Sequence, residues 1–180
     1  MTDAFVFDTG HTWADFLATR TNVHGPVPSE WLPAADAARR WFAAVGLAPE
    51  HAPRADELAL VHAAREALRT VVLTRHGYPL PPRSPGLTAA TALLRQVARP
   101  APDADPIEAP ASYRSAISRI VASCTVDLTQ PALRFLTCAE TVCGKVFSDR
   151  GDARQRYCGP RCATRARVRS HRARPATDDD

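Results

Sequence analysis

Four cysteines near the C-terminus constrain this chain more than any other feature. Their pattern is Cys138-x4-Cys143-x14-Cys158-x3-Cys162. Two close pairs separated by about 15 residues is the spacing of a zinc site. The reason is geometric. A short loop can point two thiolates inward from one side, and the start of a helix can supply two more, so that four sulfurs close a tetrahedron. Four protein ligands leave no open coordination position, which makes the metal structural rather than catalytic. A four-thiolate tetrahedron suits zinc or iron. Nothing in the sequence points to redox work, so a single Zn2+ is expected. A unit of about 40 residues buries little core, and a structural metal is the usual remedy at that size. Unrelated buried cysteines would rarely fall into two close pairs within one basic segment. The fifth cysteine, Cys124, stands apart on an apolar helix face and reads as a core residue.

The residues between the ligands give this unit a shape. "RFLTC" is extended in character, and Gly144 directly after the second cysteine suits a tight knuckle. "SDRGDA" reads as a turn and "RQRYC" as a returning strand. A helix then begins, with Cys158 at its start and Cys162 one turn in, so that both thiols share a face.

The rest of the chain is patterned for helices. "SEWLPAADAARRWFAAVG" places Trp31, Ala35, Ala38, Phe42 and Val45 at helical intervals, with Ser29 as a candidate N-cap and Gly46 as a stop. "RADELALVHAAREALRTVVLTRHG" is the strongest helix, with Leu58, Val61, Leu68, Val71 and Val72 on one stripe and Gly77 ending it. After the proline-rich connector "YPLPPRSPG", "LTAATALLRQVARP" is a shorter helix with Thr88 as its candidate cap. "PAPDADPIEAP" is a loop. "SYRSAISRIVASCTVDL" is a last helix facing Ile117, Ile120, Val121 and Cys124 inward. "TWADFLATRTN" is helical, and "AFVFDTG" before it is a short strand or an extended arm. The expected fold class is therefore mainly α: a helical N-terminal domain over residues 1–131, a small zinc-stabilised β-hairpin and helix over 132–174, and an acidic disordered tail over 175–180.

Compartment and chemistry are bounded next. A membrane span needs about 18 or more consecutive apolar residues, and no such run exists. The N-terminus has no basic region followed by an apolar core, so it does not read as a secretory signal. A cytoplasmic protein is expected, and a reducing cytosol argues against disulfides. No phosphate-binding loop, nucleophile elbow or His-Glu-x-x-His motif is present, and no enzymatic activity is expected. An enzymatic alternative would sit around His11 and Asp15, beside Trp13. The plainer reading there is a surface turn with a core tryptophan. His51, His62 and His76 read as surface or partly buried residues.

Charge is distributed unevenly. Residues 134–174 hold 11 basic and 3 acidic side chains, while residues 1–133 are close to neutral and the last three residues are aspartates. Such asymmetry points to a polyanionic partner. Arg161, Arg165, Arg169 and Arg172 fall on one stripe of the last helix, with Arg167 and Arg174 on the other side; Arg154 and Arg156 precede it. Beyond its first turn this helix is polar all round, so it projects into solvent or is held by a partner. The planar guanidinium fork suits phosphates and guanine edges. These eight arginines are the candidate contacts to double-stranded DNA. The alternative is an adaptor whose basic unit docks an acidic protein.

The cysteine pattern, with "CGKVF", "RQRYC" and "CATRARVRSHRAR", resembles the CGNR zinc finger. Here Cys162, Ala163, Thr164 and Arg165 stand at the naming motif, keeping its first and last letters. "HAAREALRTVV", with Arg65, Glu66, Ala67 and Leu68, resembles a run in the helical ABATE domain that often precedes this finger. "WADFLATRTN" looks like a divergent version of that domain's first segment, with Ala18 where an asparagine would be expected. The resemblance implies a DNA-binding, stress-induced transcription regulator. By analogy at the level of the fold, its helical domain would form a homodimer or sense a small-molecule effector.

Overall fold

The computed structural model describes residues 5–99 and 109–173. Arg174, the acidic tail and most of the "PAPDADPIEAP" loop lie outside the described residues. In chain order the elements are α1 (Thr12–Ala18), β1 (Arg20–Thr21), β2 (Ser29–Glu30), α2 (Ala35–Ala44), α3 (Ala55–Arg75), α4 (Leu87–Val97), α5 (Tyr113–Thr129), β3 (Phe135–Thr137), β4 (Val146–Ser148) and α6 (Pro160–Arg172). The protein is mainly α, as its periodicity predicts, with two small antiparallel hairpins, β1–β2 and β3–β4.

Helix α3 is the spine. Its backbone start is closed by Glu57, whose carboxylate accepts from the Arg54 N–H at 3.1 Å. It ends at Gly77, whose φ of +68° favours glycine. One face buries Val61, Ala64, Leu68, Val72 and Leu73 against α4, α5 and α1. Ile117, Ile120, Val121 and Cys124 of α5 are all buried, matching their helical spacing. Burial pushes the Cys124 thiol up to about 12, so it is a packing group and not a reactive one.

Two expectations fail at helix starts. Ser29 does not cap α2; it sits in β2, and α2 begins at Ala35. Pro33 disfavours helical backbone at Leu32, and the Glu30 carboxylate accepts from the Leu32 N–H at 2.9 Å, which fixes a turn there. Trp31 is consequently 40% exposed, whereas Trp41, unassigned by the pattern, is buried. Thr88 lies inside the first turn of α4, whose N-cap is Gly86. Residues 5–8 form no strand among the described residues.

The C-terminal unit joins the helical core rather than hanging from it. Phe135 of β3 and Val146 of β4 belong to the main cluster. The Phe135 ring meets Trp13 edge-on at 4.8 Å. Asp127, near the end of α5, accepts from the Trp13 indole N–H at 2.8 Å and pairs with His11 Nδ1 at 2.7 Å. Asp15 accepts from the Thr9 N–H and hydroxyl at 3.2 and 2.8 Å. His11, Trp13 and Asp15 thus hold the N-terminal segment against α5 and β3. No helix among the described residues is long and apolar enough to cross a membrane.

Candidate metal centre and basic helix

The β3–β4 hairpin carries the first two ligands in its loop. Its register pairs Thr137 with Val146 and Leu136 with Phe147, so the loop between them is the knuckle. The Cys138 N–H donates to the Lys145 carbonyl and the Cys143 N–H to the Glu140 carbonyl, each at 2.9 Å. Gly144 turns the chain with φ +65°, and a Cβ there would run into Val23 and His24. The "RQRYC" segment is not the returning strand; β4 takes that place because the knuckle itself folds "KVFS" back onto "FLT". One hydrogen bond, from the Ala139 N–H to the Arg156 carbonyl at 2.8 Å, lays that segment across the knuckle. Cys158 then precedes α6, and Cys162 lies in its first turn behind Pro160, a residue suited to that position.

These elements bring all four predicted sulfurs within 4.8 Å of one another. Cys143 Sγ lies 3.8 Å from Cys158 Sγ, and Cys158 Sγ lies 3.6 Å from Cys162 Sγ. A tetrahedron with Zn–S bonds of about 2.3 Å has edges of about 3.8 Å, so the cage has the size of a four-thiolate zinc site. None of the four is in a disulfide. The Cys158 N–H also points at Cys138 Sγ, 3.5 Å away, as a donor to a charged sulfur would.

The electrostatics agree with the geometry. Hydrogen bonds from Cys143 and Cys158 hold the Cys138 thiol well below its usual range, while the same contacts push Cys143 and Cys158 up. Four sulfurs this close cannot all ionise on their own. A divalent cation removes that conflict, because a coordinating thiol is deprotonated outright. The cluster around the sulfurs buries little besides Phe147, so a metal has to supply what packing does not. The four cysteines are positioned to bind one zinc ion.

The basic helix is better supported than its sequence suggests. Among the candidate arginines, Arg169 is committed to the protein. Its guanidinium grips the fully buried Glu140 through two bonds, of 2.5 and 3.1 Å, and also donates to Thr141 at 2.5 Å. Arg165 donates to Asn22 Oδ1 at 3.1 Å, which ties α6 to the β1–β2 connection. Arg167 reaches Thr164 on its own helix. The side chains of Arg154, Arg156, Arg161 and Arg172 are exposed and have no ion pair among the described residues. Glu140 is the residue that the sequence reading missed. Its signal was an acid two positions after the first ligand, inside a strongly basic unit.

A helical body with a four-cysteine metal unit and a basic helix defines a zinc-finger protein. Residues 10–136 match the ABATE family model, described as "Putative stress-induced transcription regulator", and residues 134–175 match the CGNR zinc finger. The chain belongs to the ABATE family and carries a CGNR zinc finger after that domain. No curated protein matches it. Both family descriptions are of regulator and zinc-finger types, not of enzymes.

Proposed function

We propose that the chain is a cytoplasmic, zinc-dependent, DNA-binding transcription regulator in which residues 132–174 contact duplex DNA and the helical body, residues 1–131, is regulatory. The observation that carries this reading is the outward arginine array, Arg154, Arg156, Arg161, Arg165, Arg167 and Arg172, on a unit whose shape the four cysteines fix. Zinc holds the knuckle against the first turn of α6, and the unit then presents exposed guanidiniums, of which Arg165 also reaches Asn22. Arginine is the residue best fitted to phosphate by geometry and permanent charge.

Salt dependence tests it. About six phosphate contacts give a slope of log affinity against log salt of roughly −5, or about a thousandfold loss between 50 and 200 mM. Arg167→Ala is expected to flatten that slope by about 1. Arg169→Ala is expected to leave the slope unchanged, because Glu140 already occupies that guanidinium, and to lower the melting temperature by stranding Glu140. An Arg169→Ala slope as flat as that of Arg167→Ala would show that Arg169 abandons Glu140 for DNA. The grip of Arg169 on a carboxylate favours one rival, an adaptor that docks an acidic protein surface. Absence of any duplex binding at low salt with zinc bound would end the nucleic-acid reading in favour of that rival.

A further inference from the structure

A cleft of about 720 Å³ opens between the N-terminal segment, α1, the β1–β2 hairpin and the start of α6. That volume is in the range of small-molecule sites, roughly 300–1,000 Å³. Three of the metal ligands, Cys143, Cys158 and Cys162, share its wall with Arg161 and Arg165, and the cleft extends beyond them along Phe5, Thr21 and Trp31. Its apolar walls include Phe5, Trp31 and Trp41. Trp31 is half-exposed for a side chain so large, with its indole N–H donated to Thr21 at 3.2 Å. Aromatic faces left open in a concave site present stacking surfaces.

The charges facing the cleft do not cancel. Asp8 is paired with Lys145. Asp15 is held by Thr9 through its backbone N–H and its hydroxyl. Two cations remain. Arg161 has no hydrogen bond or ion pair among the described residues, and Arg165 spends one nitrogen on Asn22. Two forked guanidiniums at one end of an aromatic-walled cleft match a planar carboxylate attached to a ring.

We infer that this cleft binds a small aromatic carboxylate, with its ring along Trp31 and Phe5 and its carboxylate on Arg161 and Arg165. The inference does not rest on DNA binding, since every contact lies within this chain. An inorganic anion alone would leave the aromatic walls uncovered and bind weakly.

Calorimetric titration of the full-length, zinc-loaded protein with 2-naphthoate tests it. Saturable binding at one site per chain is expected. The double variant Arg161→Ala with Arg165→Ala should weaken it tenfold or more, as should replacing the probe by neutral 2-naphthamide. Trp31→Ala should weaken it as well, and inorganic phosphate should give no saturable heat. Both arginines are exposed, so the double variant should keep the wild-type circular dichroism. No saturable heat with 2-naphthoate, or equal affinity in the wild type and the double variant, would overturn the inference.

Discussion

Removing the metal is expected to unfold the knuckle and loosen α6 while α1 to α5 keep their helical signal. The sulfur cluster packs little apolar surface of its own, so the unit has no reserve once the ion is gone. Structural zinc is worth about 10–16 kcal/mol in small finger peptides near neutral pH, which is folding free energy. The helices have a separate reserve in the large core around Trp13, Phe16, Trp41, Phe42 and Ile117. Phe135 and Val146 complicate a clean separation, because they join the two. A chelator should therefore change the near-ultraviolet signal of Trp13 and lower the melting temperature, with most far-ultraviolet helicity retained. Cys158→Ser should reproduce both effects. Total loss of helicity on chelation would mean that body and finger fold as one cooperative unit. Zinc retained after all four cysteines are changed to serine would remove the ligand assignment itself.

The metal ligands were legible because their signal is one-dimensional. Four thiols at fixed spacings leave few geometries, and the fold delivers them within one coordination sphere. Helices α3 and α5 were legible for the same kind of reason, since burial repeats along them at a helical period. What escaped was set by partners distant in the chain. Arg169 reads as solvent-facing until Glu140, 29 residues earlier, is seen beneath it. "RQRYC" has strand-like composition, but the knuckle had already chosen Val146–Ser148 as the partner of β3. The start of α2 was shifted by Pro33 together with Glu30, whose carboxylate accepts from the Leu32 N–H. The cleft escaped entirely, because its walls come from well-separated segments of the chain.

Arg65 and Arg69 show the same limit at its most costly. On a helix wheel they are ordinary polar residues, yet each is only 1% exposed. Arg65 donates to both oxygens of Glu30, to the Thr19 hydroxyl and to Glu66. Arg69 donates to Glu66 at 3.2 Å and to the Leu17 carbonyl at 2.6 Å. Desolvation pulls the Arg69 guanidinium down to about 10, and Glu66 is the main charge opposing that fall. Glu66→Ala would leave Arg69 buried without a carboxylate. Breaking one side of a buried pair costs about 3–5 kcal/mol. At about 2–4 °C per kcal/mol for a chain of this size, the melting temperature should fall by roughly 6–20 °C. Acid should act through the same network. Burial alone would raise the Glu66 and Glu30 carboxyls; their arginine partners outweigh it and hold both below the usual 4.5. A depressed folded value gives stability that is fully present above the unfolded pKa and is lost as pH falls through the folded one. The wild-type melting temperature should therefore drop as pH is lowered below about 4.5, and Glu66→Ala should show a shallower drop from its lower start. Melting curves from pH 7 to pH 3 decide it. A Glu66→Ala protein as stable as wild type at pH 7 would mean that Glu30 and the backbone carbonyls suffice to hold both buried arginines.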